Sequence, residues 1–370
     1  MVELLKMISK DMNGGTDKRA SADDIYLSLR KIITSSSLKS GKLPTVSDLS
    51  VCYSANYRTV KSALARLEGE GYIDYKPNIG AIVKSKKEIV YIQWEDNPFC
   101  GLISEGIRNF VNEKTDLELT VVNAQRKHSL ARDSIESFIG HMDGLIVMPF
   151  DRLGYEESLG RIAAAGVQIV CVDRELAGVN AGSVTSDDFG GAFAAVSHLL
   201  EKHNQPVFYV GNTGEPSSSE NRYRGWRSAM ETHGYFDCDK YFIDIGVRES
   251  VLSEKHQSSR EFEIIAAERL FNENRLDSYS VFAVNDYAAN RVYESAFSRG
   301  YRIGEDVFVA GFGNLPFCNK LPTPLTSVKQ CPVELGCDAA KMLYMQINGQ
   351  ISRPVHKVMP TTLVVRASSG

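Results

Sequence analysis

Six short polar clusters stand out along the chain: Trp94-Glu95-Asp96, Phe150-Asp151, Asp173-Arg174, Ser219 to Arg222, Asn285-Asp286 and Gly313-Asn314. Carboxylates accept from hydroxyls, amides both donate and accept, a guanidinium bridges two hydroxyls, and an aromatic ring covers an apolar face. That mixture suits a hydroxylated, uncharged small molecule. It does not suit covalent or metal chemistry. The chain has no G-x-S-x-G, H-E-x-x-H or G-x-x-x-x-G-K pattern, and His198 and His203 are five apart, a poor helical pair for a metal. No catalytic residue, metal ligand or cofactor is therefore expected.

The clusters follow apolar, β-type runs. Strand candidates are Ile89–Gln93, Leu117–Val122, Gly144–Met148 and Gln168–Val172, then Val207–Val210, Tyr241–Ile245, Ser280–Val284 and Val307–Gly311. Helical segments lie between them, as in the apolar face of Ile103, Ile107, Phe110 and Val111. Near-continuous apolar strands alternating with helices predict parallel sheets covered on both faces. Eight units in two groups of four predict two similar lobes. Ligands of open α/β sheets bind outside the carboxyl ends of the strands, where the polar clusters fall. Asp173-Arg174 could equally be an ion pair tying a loop, and Asp286 reads better as a helix cap than as a ligand contact. Trp94 serves equally as stacking ring or core, and Trp226, inside a helix, reads as packing.

The first part of the chain is built differently. Val60, Ala63, Leu64 and Leu67 share one helical face, and Gly71 stands where a left-handed C-cap belongs. Ser21-Ala22-Asp23-Asp24 reads as a capping box opening a helix with Ile25, Leu29, Ile32 and Ile33 on one side. That helix ends near the serines at 35–37, and Lys39-Ser40-Gly41 makes a turn. Thr45 caps a second helix with Asp48 three residues on, and a third starts near Asn56. Strands Tyr72–Lys76 and Ala81–Lys84 flank the turn Pro77-Asn78-Ile79-Gly80. Helix, turn, helix and a two-stranded wing is a DNA-reading shape.

Charge is unevenly spread. The chain totals −4, yet residues 18–88 hold 13 Lys and Arg against 7 Asp and Glu, a net of +6. A basic head on an acidic body suits a phosphate-bearing partner. Seven cysteines, odd in number and without a C-x-x-C pair, predict reduced thiols and a cytoplasmic setting. No apolar run approaches the ~18–20 residues that span a bilayer. Residues 1–17 lack the features of a signal peptide and read as a disordered leader.

Two family resemblances follow. Leu38 to Val46 with Thr59 to Ile73 resembles the winged helix-turn-helix of GntR-family regulators. The resemblance implies a third helix in the major groove and a wing tip toward the minor groove. Thr45, Asn56, Tyr57, Arg58, Lys61, Lys76 and Asn78 are then the DNA-facing set. Asn and Arg read base edges, and Lys61 holds phosphate. Ser47, Tyr57 and Ile79 stand where the family often has Arg, Arg and a basic or polar residue; Arg58, Lys76 and Lys84 are candidates to compensate.

Residues 89–370 resemble the LacI-type regulator core, which shares the fold of periplasmic sugar-binding proteins. The resemblance is carried by Met142 to Val147, Val172-Asp173-Arg174, Ser183 to Gly191, Arg222 to Trp226, Ala283 to Asp286, Val309 to Phe312 and Leu325 to Gln330. By position it puts effector contacts at Asp173, Arg222, Asn285 and Gln330, beside the candidate stacking ring Trp94. Asn314 stands in place of the family's usual aspartate.

The expected architecture is α/β: a winged helix-turn-helix head (18–87) on a two-lobed, periplasmic-binding-protein-like core (88–370). Lobe 1 takes 89–187 and 331–352; lobe 2 takes 188–330 and 353–370. This is the arabinose-repressor type of arrangement. It implies a homodimeric, cytoplasmic, non-enzymatic repressor of operator DNA, responsive to a pentose or deoxyhexose such as arabinose or fucose. The short linker, 85–88, would let lobe movement reach the head. The alternatives are a purine or protein effector, a sugar-converting enzyme fused to a DNA-binding head, and a plain sugar-binding protein.

Overall fold

The computed structural model describes residues 20–34, 41–76, 79–84, 86–114, 116–150, 155–246 and 259–370. The proposed leader 1–17, the serine run 35–37, Lys39, Ser40, Pro77, Asn78, Ser85 and Asp151 lie outside the described residues. Two compact units emerge, one built mainly from residues up to Glu88 and one from the bulk of 89–370.

In the first unit, α1 (Ala22–Thr34), α2 (Val46–Cys52) and α3 (Tyr57–Gly69) pack with a small sheet of β1 (Gly41–Lys42), β2 (Ile73–Lys76) and β3 (Gly80–Val83). Each helix starts at an oxygen-bearing cap. The backbone N–H groups of Asp24, Asp48 and Thr59 donate to the side chains of Ser21, Thr45 and Asn56 at 3.2, 3.2 and 2.8 Å. Such caps are worth about 1 kcal/mol each. The Thr45–Asp48 capping box closes in both directions. Val60, Ala63, Leu64 and Leu67 are buried as their spacing predicts. α3 stops at Gly71, whose φ of +82° is a left-handed conformation that glycine adopts without a Cβ clash.

β2 and β3 form an antiparallel hairpin, with Ile73 opposite Val83 and Lys76 opposite Gly80. β1 pairs with β3, so Gly41 begins a strand where the sequence suggested only a turn. Two-residue strands carry no periodicity by which to be recognised.

The second unit holds two six-stranded sheets. The first follows the order β14-β8-β7-β6-β4-β5 and the second β10-β9-β11-β12-β13-β15. In the first sheet β4 is Lys87–Gln93, β5 Leu117–Asn123, β6 Gly144–Val147, β7 Gln168–Val172, β8 Gly182–Ser186 and β14 His356–Met359. In the second, β9 is Val207–Gly211, β10 Phe242–Asp244, β11 Tyr279–Ala283, β12 Val307–Gly313, β13 Thr326–Lys329 and β15 Thr362–Val364. β14 with β8, β8 with β7, β7 with β6 and β6 with β4 are parallel in the first sheet, as are β10 with β9, β9 with β11, β11 with β12 and β12 with β13 in the second, whereas β13 and β15 are antiparallel. Side chains of β6, β9 and β11 are buried on both faces, which explains their unbroken apolar runs.

Helices α4 (Pro98–Asn112), α5 (His128–Ser137), α6 (Glu156–Ala164) and α11 (Pro332–Ile347) accompany the first sheet. α7 (Asp188–His203), α8 (Ser217–Thr232), α9 (Ser259–Glu273) and α10 (Asp286–Ser298) accompany the second. α4 and α11 meet backbone to backbone: a Cβ on Gly106 would lie 1.9 Å from the Val333 carbonyl oxygen, and one on Gly336 would lie 2.1 Å from that of Ile103.

The last crossover differs from the expected boundary at 352/353. His356–Met359 pairs with Gly182–Ser186 in the first sheet, and the chain returns to the second only at β15. β8, β13, β14 and β15 also enlarge each sheet beyond the expected four strands. β14 and β15 are short and largely exposed, so their apolar alternation is weak.

Candidate functional site

The strand ends of the two sheets face a cleft of about 510 Å³. From the first sheet it takes Trp94 to Pro98 after β4, Arg126 after β5, Phe150 after β6 and Arg174 after β7. From the second it takes Asn212, Pro216, Ser219, Arg260, Glu263, Asn285, Tyr287 and Arg291. The loop after β7 is tied to the first turn of α8, where the Glu175 backbone N–H donates to Ser217 Oγ at 2.8 Å.

Trp94 reconciles its two readings. It is buried to 1% exposure and also borders the cleft, its ring stacked on Phe150 at 4.9 Å and 20°. Asn285 lines the cleft while its Oδ1 accepts from the Ala288 backbone N–H at 2.8 Å, so Asn285 is the cap of α10. The expectation that Asp286 caps this helix is thereby corrected by one residue. Asp286 is fully buried and accepts from the Leu315 N–H and Ser327 Oγ, at 2.8 and 2.5 Å, tying the loop after β12 to β13.

The other candidate contacts sit behind the lining. Asp173 is buried in a left-handed conformation (φ +67°) next to Arg174, whose Nε is 3.3 Å from its Oδ2. The ion-pair reading of Asp173-Arg174 thus holds, while Asp173 Oδ1 has no hydrogen-bond partner among the described residues. Arg222 is held from three sides. Its guanidinium grips Asp188 Oδ1 at 2.8 Å, donates to the Val284 carbonyl at 2.8 Å and lies 3.8 Å over the Phe312 ring. Burial pushes the Asp188 carboxyl up, and Arg222 opposes that rise. Gln330 donates to Ser186 Oγ at 2.9 Å across the crossovers between the sheets. Asn314, with φ +51°, accepts from Arg366 at 2.6 Å. Arg222, Gln330 and Asn314 are therefore engaged internally and are not among the residues lining the cleft. Trp226 is core, its indole N–H donating to the Val207 carbonyl.

Sequence reading missed Arg126, Asn212, Arg260, Glu263, Tyr287 and Arg291. Arg126 and Asn212 follow β5 and β9, so the strand-end rule could have found both. Arg260 and Glu263 lie on α9 and Arg291 well inside α10, where no strand-end or periodicity signal marks them. Burial pushes the Glu263 carboxyl to about 7, against the pull of Arg291 and Arg126 and with reinforcement from Glu95. Among the described residues no cluster of three His, Cys, Asp or Glu could hold a metal, and no helix is long and apolar enough to cross a membrane.

On the head, Asn56, Tyr57, Arg58 and Lys61 are exposed along the first turns of α3. Lys61 Nζ lies 5.5 Å from the ring centres of both Tyr57 and Tyr75. Thr45 and Asn56 cap helices. Lys76 is exposed at the end of β2, and Ile79 is 47% exposed beside it. Lys84 pairs with Asp74 at 3.3 Å in an exposed ion pair.

Residues 196–369 match a family model described as a periplasmic binding protein-like domain. The HTH-type transcriptional regulator DegA of Bacillus subtilis is 27% identical over 58% of this chain, and the match spans 59% of DegA's own length. The arabinose metabolism transcriptional repressor of Geobacillus stearothermophilus is 22% identical over 90% of this chain and 93% of that protein. A LacI-family transcriptional regulator from Enterococcus faecium, solved with bound ribose, superposes with a TM-score of 0.62 at 22% identity, over 76% of this chain and 98% of that one. The LacI-type part of the resemblance is thereby supported; the GntR part concerns the head, which the family match does not reach. The relatives are transcriptional regulators rather than enzymes. The core of this chain has the periplasmic-binding-protein-like fold, and the chain is similar to LacI-type transcriptional regulators.

Proposed function

We propose that this chain is a cytoplasmic, homodimeric transcriptional repressor whose hold on operator DNA is set by a small sugar bound in the cleft. The cleft carries the reading: it lies at strand carboxyl ends, is floored by the stacked Trp94 and Phe150, and offers the amides of Asn212 and Asn285 and the Ser219 hydroxyl to a hydroxylated ring. The head supplies the output. Its three helices and hairpin act as a GntR-type winged helix-turn-helix, with Arg58 and Asn56 toward base edges and Tyr57, Lys61, Lys76, Thr45 and Asn78 toward the backbone. Two copies would place their third helices in successive major grooves, about 10 base pairs apart. Ligand closes the hinge between the lobes and shifts the operator affinity. Asp173, Arg222, Asn314 and Gln330 act from behind the lining by holding the strand ends in place.

Arg58→Ala combined with Lys61→Ala tests the output. Losing one cation at a base edge and one at a phosphate should weaken binding to an operator duplex and flatten the plot of log affinity against log salt by about 1 to 2. The same affinity and slope in the double variant would exclude α3 as the reading helix.

A further inference from the structure

A neutral sugar needs few charged donors, yet four arginines line the cleft: Arg126, Arg174, Arg260 and Arg291. Their acidic counterparts there are Glu95, Asp96 and Glu263. Glu95 faces Arg126 at 3.9 Å, and burial raises the Glu263 carboxyl, which weakens its opposing charge near neutral pH.

Two of the guanidiniums are incompletely satisfied. The Nε atoms of Arg174 and Arg291 are buried and make no hydrogen bond among the described residues, although the Arg174 Nε stands 3.3 Å from Asp173 Oδ2 in an ion pair. The side chains themselves are only 16% and 11% exposed. Arg174 spends another N–H on the Pro149 carbonyl at 3.2 Å, and Arg291 pairs with Glu294. A buried charged donor left unmatched costs more than a neutral one. An acceptor brought by the ligand relieves that cost. α8 adds to this polarity, because Pro216 and Ser219 at its start border the cleft and no side chain caps it. The partial positive charge of a helix N-terminus favours a negative group.

We infer that the ligand of this cleft is a hydroxylated anion, a sugar acid or a sugar phosphate, whose acid group is held by guanidiniums that include Arg174 and Arg291 while its ring rests on Trp94 and Phe150. This rests on the reading of the cleft as the effector site. It departs from the uncharged ligand that the strand-end clusters alone suggest, because the arginines on α9 and α10 are invisible to that rule.

Matched pairs of compounds test it on the full-length chain. Thermal shift and titration calorimetry would compare glucose with gluconate and glucose 6-phosphate, galactose with galacturonate, and ribose with ribose 5-phosphate. The expected result is one acid binding at least about tenfold more tightly than its neutral partner, the carboxylate and phosphate arms showing which acid it is. Arg174→Gln or Arg291→Gln should then erase most of that difference while leaving the circular dichroism spectrum unchanged. A neutral sugar that binds as tightly as its acid overturns the inference and leaves sugar sensing standing, as does an acid preference that survives both substitutions. If no compound of either kind binds while the chain still holds operator DNA, the sugar-sensing reading falls and takes the inference with it.

Discussion

Glu263 shows how a single side chain can report the state of the cleft. The groups facing it are Arg291 on its neighbour α10, Arg126 from the loop after β5, Glu95 from the loop after β4, and the Tyr287 hydroxyl. Burial raises its folded pKa to about 7, above the ordinary value of 4.5. The folded chain therefore holds a proton more tightly than the unfolded chain does. Its contribution to stability is greatest below pH 4.5 and is lost as pH rises toward 7. Glu263→Gln should remove this component, with a slope approaching about 1.4 kcal/mol per pH unit at its steepest. Urea midpoints of parent and variant measured from pH 4 to 8 should converge in acid and separate above neutrality, with the variant the more stable there. Parallel curves would mean that Glu263 ionises as an exposed carboxylate does.

At the scale of elements, α7 and α8 are locked by one buried ion pair. Asp188 opens α7, and Arg222 of α8 reaches it at 2.8 Å while also holding the carbonyl at the end of β11. Removing one partner of such a pair strands the other charge. Arg222→Ala should cost about 3–5 kcal/mol in chemical denaturation, and Asp188→Leu combined with Arg222→Met should recover most of it. A variant of unchanged stability would release Arg222 for direct work on the ligand.

The same elements show what sequence could and could not disclose. Val60, Ala63, Leu64 and Leu67, the Thr45 and Ser21 caps and Gly71 were legible because each is set by neighbours within one helical turn. The runs of β6, β9 and β11 were legible because both faces are buried. Arg222, Gln330 and Asn314 stand at family positions, but their partners, Asp188, Ser186 and Arg366, come from a helix, a strand and a loop distant in sequence. Arg260, Glu263 and Arg291 reach the cleft only through the packing of α9 and α10, which leaves no mark in local spacing.

Over the whole molecule, two different designs share one chain. The head is basic, capped and built on a small core of its own. The second unit crosses three times between its sheets, after β8, after β13 and after β14, so the strand ends of both meet at one cleft. Multiple crossovers allow one sheet to move against the other as a body, the kind of hinge that ligands close. A ligand alters DNA binding only by its unequal affinity for the two states. Coupling of this kind is typically ~1–3 kcal/mol, or about 5- to 150-fold.

The most direct measurement is fluorescence anisotropy of a labelled operator duplex, selected from a random pool, with and without a saturating compound that raises the Tm of the chain. The expected result is a fall in operator affinity of about 5- to 150-fold, matched by an equal fall in ligand affinity on the DNA-bound protein. An operator affinity unchanged at saturation would contradict the account, because cleft and head would then be uncoupled.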